Sequence, residues 1–306
     1  MTLSAVLTCG AGRVRQFTAG STEDAVRVAD FARFALRRVA RSRPGDDLDS
    51  ALAVLKAAGP KLQAALLGPA TRNLGDGPVV IVPPGRLHAI PWALLPALAD
   101  RMFSVAPSAG AWLRAHTAPP PRRRHVTLVR GPGLVTEGAE VPQVAPLYDD
   151  ATVLAGGEAT TEQVLSAIDG SWLAHVAAHG TFRADSPLFS SLRMHDGLLS
   201  VYDFERLKRA PYRLVLSSCD SAVLAPAGAD ELLGLVSSLL PLGTAGIIAS
   251  VVQLNDYAAV PMMVDLHRYL RTGQTLAEAM CSVRGGLSDD PLQQATAMSL
   301  VALGAG

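Results

Sequence analysis

The sequence predicts an α/β fold: a mainly parallel sheet with helices packed on it. Three observations predict it. Short runs of β-branched and small apolar residues alternate with capped, amphipathic segments, the order that βαβ units produce. Two of these runs, Trp172 to Gly180 and Tyr212 to Asp220, are apolar for most of their length, as strands buried on both faces are. The 306 residues, 49% of them hydrophobic, suffice for one large or two modest cores.

Taken in order, Leu3 to Cys9 and Val14 to Thr18 read as a hairpin around Gly10-Ala11-Gly12. Ser21 caps a helix with Glu23 and Asp24 in its first turn; Val26, Phe31, Phe34 and Leu36 form its apolar side and Arg27, Arg33 and Arg37 its wet side. Pro44-Gly45 stops it. A second helix opens on Asp46, Asp47 and Asp49 and runs to about Leu67, with a bend expected at Gly59-Pro60. The Val79-Val80-Ile81-Val82 run, between breakers, is expected as a central strand, and Phe103 to Ala106 as another, followed by a helix from Ser108.

Pro119 to Arg124, three prolines and then three arginines, is the clearest linker. It divides the chain into a first part, 1–118, and a larger part, 125–306. Past it come a strand at Val126 to Val129, a Gly/Pro loop and a helix over about Glu137 to Leu147. A strand at Thr152 to Leu154 follows, then a helix capped by Thr160 and ending at Ile168.

Charge and cysteine content narrow the partners. Lys plus Arg equals Asp plus Glu at 27 each, so no global field draws the chain to nucleic acid or to an anionic membrane. The uncharged stretch Leu232 to Leu254 is split by Pro241 and Gly243-Thr244 into pieces too short to span a bilayer, so no membrane span is expected. Three cysteines, Cys9, Cys219 and Cys281, and no basic-plus-apolar leader over residues 1–20 point to a reduced, cytoplasmic setting. Cys9 and Cys281 are expected as inert packing residues.

The chemistry lies at the ends of the two apolar runs. In open α/β sheets ligands gather outside the carboxyl ends of parallel strands. If the two runs are parallel neighbours, His179 and Cys219 emerge side by side there, a thiol beside an imidazole. Gly180 permits a tight turn with a free N–H, so the amides of Gly180 and Cys219 are the expected oxyanion donors. The sequence shows no third member of a triad; a backbone carbonyl is expected to orient His179 instead. A metal site from His175, His179 and Cys219 lacks a fourth ligand, and a serine hydrolase lacks its Gly-x-Ser-x-Gly elbow.

An ordered set of motifs carries a resemblance. His175-Val176-Ala177-Ala178-His179-Gly180 resembles the catalytic-histidine strand of the CHAT family of caspase-like peptidases. Ser186 to Leu192 with Asp196-Gly197 resembles the segment after it, and Leu216-Ser217-Ser218-Cys219-Asp220-Ser221 resembles the catalytic-cysteine motif. Gly228 to Leu235, Gly243 to Gly246, Asn255-Asp256 and Gly273 to Met280 fit downstream, and Leu87 to Leu94 with Ala106-Pro107-Ser108 upstream. The resemblance implies a caspase-like, mixed sheet flanked by helices on both faces, with 1–118 a smaller accessory α/β half packed on a catalytic half, 125–306, and a Cys–His dyad of Cys219 and His179. It implies protein substrates and no cofactor. Fused or associated regulatory domains and a target encoded nearby are expected, in a bacterial defence or cell-death setting. The alternative is a catalytically silent interaction module.

Some relatives that cut after basic residues carry an acid two positions before the nucleophile. Here that position is Ser217, so no carboxylate from that strand is expected to read the substrate. Ser217, Asp220 and Asp256 are the expected pocket residues, with Asp230 and Glu231 as further candidates.

Overall fold

Small and β-branched residues on either side of Gly12, whose φ of +72° suits a tight turn, fold the start of the chain into a hairpin. The structure, a computed structural model, describes residues 3–10, 12–181, 187–220, 239–240 and 242–305. Of the motif residues, Ser186, Ser221 and the Gly228 to Leu235 stretch, with Asp230 and Glu231, lie outside the described residues. β1 (Leu3–Gly10) and β2 (Arg13–Ser21) pair antiparallel and form a sheet of their own. Cys9 is exposed on this hairpin, so it is not the packing residue expected, while Cys281 is half-buried.

The Ser21 side chain accepts a hydrogen bond from the Asp24 amide and starts α1 (Thr22–Ala40). The buried stripe of α1 is Ala25, Ala29, Ala32, Leu36 and Val39. Phe31 and Phe34, expected on the apolar side, are 65% and 70% exposed, while the Arg33 side chain, expected in water, is 11% exposed. The reason is angular. At 100° per residue, Phe31 falls opposite Ala29, and the alanine stripe faces α2 (Asp49–Leu66). Gly59 in α2 is a packing glycine: a Cβ there would lie 2.3 Å from Leu94 O.

The main sheet takes β3 (Val79–Ile81), β4 (Phe103–Val105), β5 (Val126–Arg130), β6 (Ala151–Ala155), β7 (Leu173–Thr181), β10 (Arg213–Asp220), β11 (Gly246–Ser250) and β12 (Leu300–Gly304). Their spatial order is β3-β4-β12-β11-β10-β7-β5-β6. Short strands β8 (Ser191–Arg193) and β9 (Leu198–Ser200) extend from the end of β7. Most neighbours are parallel, but β12 runs antiparallel to β11 and β8 antiparallel to β7, so the sheet is mixed. β3 stands at an edge, not at the centre expected, and Val80 is 37% exposed. The prolines at 83 and 84 suit an edge, because proline brings no N–H to a ladder.

Helices cover both faces. α3 (Pro96–Ala99), α4 (Ala109–Thr117), α5 (Glu140–Val144) and α6 (Thr161–Ile168) precede β7. α7 (Asp256–Arg271), α8 (Leu276–Gly285) and α9 (Pro291–Ser299) follow β11. Period two sorts β7 between two cores: Leu173 and Ala177 face one with Val141, Val215, Met263 and Leu266, and Ala174, Val176 and Ala178 face the other. β3 and β4, from before the Pro/Arg segment, stand in one sheet with strands from after it. α5 begins three residues later than the sequence suggests, because Glu137 and Gly138 take left-handed φ of +54° and +63°. Asn255 ties α7 to α1: its Oδ1 accepts from Ala258 N at the start of α7, and its Nδ2 donates to the carbonyls of Val39, Ala40 and Ser42 at the end of α1.

Candidate active site

β7 and β10 run parallel and in register from Leu173 opposite Arg213 to Gly180 opposite Asp220. That register pairs His179 with Cys219, on neighbouring strands about 4.8 Å apart. For Ser218, Cys219 and Asp220 the structure describes the backbone. Period two places positions 215, 217 and 219 of β10 on one face, level with 175, 177 and 179 of β7. Gly180 sits at the same edge, paired with Asp220 on one side and Leu192 on the other.

His179 is held from the loop after β5. Its Nε2 lies 2.8 Å from the carbonyl oxygen of Gly133. A carbonyl only accepts, so Nε2 carries the proton and a neutral ring keeps its lone pair on Nδ1. Nδ1 is shielded from solvent and has no hydrogen-bond partner among the described residues. A ring so oriented can take a proton at Nδ1 and return it there.

The loop owes its shape to its glycines. Gly131 N donates to Ala177 O at 2.7 Å, and a Cβ on Gly131 would lie 2.8 Å from Ala178 Cβ and 2.7 Å from Arg193 O. Gly133 turns at φ +80° to aim its carbonyl at the imidazole. Asp256, an expected pocket residue, accepts from Val135 N at 2.9 Å.

Ser217, also an expected pocket residue, is buried, and its Oγ donates to Glu140 Oε1 at 3.0 Å. Glu140 is 4% exposed. Burial pushes its carboxyl above the usual carboxylate range; bonds from its own backbone and from Ser217 oppose this, and the nearby Asp256 charge adds to it. The strand itself brings no acid to position 217, but α5 brings one to it.

Deeper on the same face, His175 stacks on His267 with centroids 5.0 Å apart. His175 Nδ1 lies 2.8 Å from His267 Nε2, and His267 Nδ1 lies 2.8 Å from the Tyr148 hydroxyl. Burial alone pushes His175 down to about 4, and burial with its neighbour pushes His267 well below the usual imidazole value. Both rings are neutral at pH 7. His175 is thus engaged away from His179.

Sequence reasoning missed Gly133, Glu140, His267 and Tyr148. One signal was present for Glu140: it is the lone charge in the Ala139 to Leu147 stretch.

A family profile for the CHAT domain matches residues 50–298, more than half of the chain. The chain belongs to the CHAT domain family. The match to this caspase-like family takes in His179, Cys219, Gly133 and Glu140; the hairpin and α1 precede it. A search of curated proteins found no match to the sequence. Among solved structures, the CHAT chain is similar to separase in the Saccharomyces cerevisiae separase–securin complex: TM-score 0.53, 14% identity, covering 71% of this chain. It spans only 14% of the separase chain. It is also similar to the Porphyromonas gingivalis RgpB complex of pro- and mature domains, at TM-score 0.50 and 11% identity, covering 94% of this chain and 77% of that one. At these identities the likeness shows the fold: a caspase-like α/β arrangement with a central sheet flanked by helices.

Proposed function

We propose that this CHAT chain is a cysteine endopeptidase that cleaves a specific partner protein through Cys219 and His179. One observation carries the reading: Cys219 stands in register with an imidazole whose Nε2 is fixed on the Gly133 carbonyl, leaving Nδ1 as the proton acceptor.

His179 Nδ1 takes the Cys219 proton, and the thiolate attacks the substrate carbonyl carbon. The C=O pair moves onto oxygen, where the amides of Gly180 and Cys219 act as donors. Collapse breaks the C–N bond, and the proton on Nδ1 goes to the leaving amine. A water then gives its proton to Nδ1 and its oxygen to the acyl carbon. The thiolate departs and is reprotonated. The Gly133 carbonyl keeps the ring oriented throughout. No step needs a metal or cofactor. Residues 1–118 act as an accessory half, and Asp220 lines the substrate cleft. The setting is cytoplasmic, in bacterial defence or regulated cell death, with a target encoded nearby and regulatory domains fused or associated.

The test is N-terminal labelling of a host lysate incubated with the protein, beside Cys219→Ala and His179→Ala. New N-termini that vanish in both variants support the reading. A cellular phenotype that survives Cys219→Ala sinks it and favours a silent interaction module.

A further inference from the structure

The carbonyl that orients His179 belongs to a loop, and a loop fixes an atom only where the loop itself is fixed. This one is fastened at three points to three elements. Gly131 N is bonded to Ala177 O on β7, and Val135 N to Asp256 at the start of α7. Where the loop enters α5, Glu140 Oε1 accepts from Ser217 on β10 at 3.0 Å. Between the second and third points the chain passes through left-handed φ at Glu137 and Gly138. Glu137 is the one non-glycine residue with positive φ among the described residues. Such a residue persists only where its surroundings over-determine it. The Glu140 bond is the fastening that reaches the strand of Cys219, and it does so two residues earlier on the same face.

We infer that Glu140 is a positioning residue for the Cys219–His179 pair: by bonding Ser217 it locks the loop that carries the Gly133 carbonyl onto β10, and so sets the distance from imidazole to nucleophile. The inference rests on the Cys–His reading above. Glu140 acts through Ser217 on one side and through Gly133 on the other. Its burial keeps water from competing for Ser217, and the neutral carboxyl that burial favours still offers Oε1 as acceptor.

The test follows alkylation of Cys219 by iodoacetamide across about pH 5 to 9 in the full chain, resolved from Cys9 and Cys281 by mass spectrometry. His179→Ala is expected to move the midpoint up towards the ~8.5 of a free thiol. Glu140→Ala and Ser217→Ala should each move it the same way by at least half as much. Glu140→Gln, whose amide oxygen still accepts from Ser217, should stay close to wild type. A folded Glu140→Ala with the wild-type profile, beside a shifted His179→Ala, overturns the role of Glu140 alone. Should Glu140→Ala fail to fold, a wild-type profile in Ser217→Ala does the same. A wild-type profile that coincides with that of His179→Ala overturns the Cys–His pair, and this inference with it.

Discussion

The Gly133 carbonyl oxygen lies 2.8 Å from His179 Nε2, and this one bond decides which imidazole nitrogen is left for chemistry. Gly133 has φ +80°, and a Cβ there would lie 3.6 Å from Nε2, so an alanine has room but pays in backbone strain. Gly133→Ala is expected to cost about 1–2 kcal/mol in urea unfolding. It should also slow Cys219 alkylation at about pH 6 roughly tenfold, because a rotated carbonyl frees the ring. Unchanged alkylation would show that the carbonyl does not hold the ring.

The stacked pair His175 and His267 makes stability depend on acid. A buried neutral imidazole is protonated more easily in the unfolded chain. Stability is therefore whole above the unfolded pKa of about 6.5 and is lost as pH falls towards the folded value. For His175, held at about 4 by burial, the loss is on the order of 3 kcal/mol. His175→Phe should give a flatter stability curve over that window. An equally steep curve would place the acid sensitivity elsewhere.

Glu140 titrates with the opposite consequence. Its carboxyl is raised in the folded chain, so it loses stability as pH climbs above the ~4.3 of an exposed glutamate and through the folded value. Glu140→Gln cannot ionise. Thermal melts should find it more stable than wild type near neutrality, with the gap closing below about pH 4.

Asn255 serves two helices with two different atoms, Oδ1 as a cap for α7 and Nδ2 as a donor to the end of α1. Asn255→Ala should cost about 2–4 kcal/mol, from a lost cap and buried carbonyls left without a donor. Asn255→Asp keeps the cap but sets a carboxylate against those carbonyls. Denaturant midpoints should place it no higher than the alanine variant.

Phe31→Ser with Phe34→Ser should change unfolding free energy by no more than about 0.5 kcal/mol, since both rings are exposed. A loss of several kcal/mol would mean that α1 turns its other side inward.

The two apolar strands and the residues at their ends were legible in the sequence because burial on both faces leaves a continuous apolar run. Their parallel register follows from such runs and the helices between them. The polar supports were not legible. Glu140 meets Ser217 across 77 positions and His175 meets His267 across 92, and no local period records contacts at that range. The outward turn of Phe31 and Phe34 was hidden for a related reason: size and apolarity suggested a core face, while close approach to α2 selected alanines. β3 read as central from its β-branched run, although the prolines after it argue for an edge.

β12 lies between β4 and β11, yet it is the latest of the sheet's strands in the sequence. While the chain emerges from the ribosome, the strands on either side of that gap have no bridge. The block β11-β10-β7-β5-β6, which carries the rim of His179 and Cys219, can pair before that bridge exists. Joining β3 and β4 to that block waits for the emergence of residues 300–304.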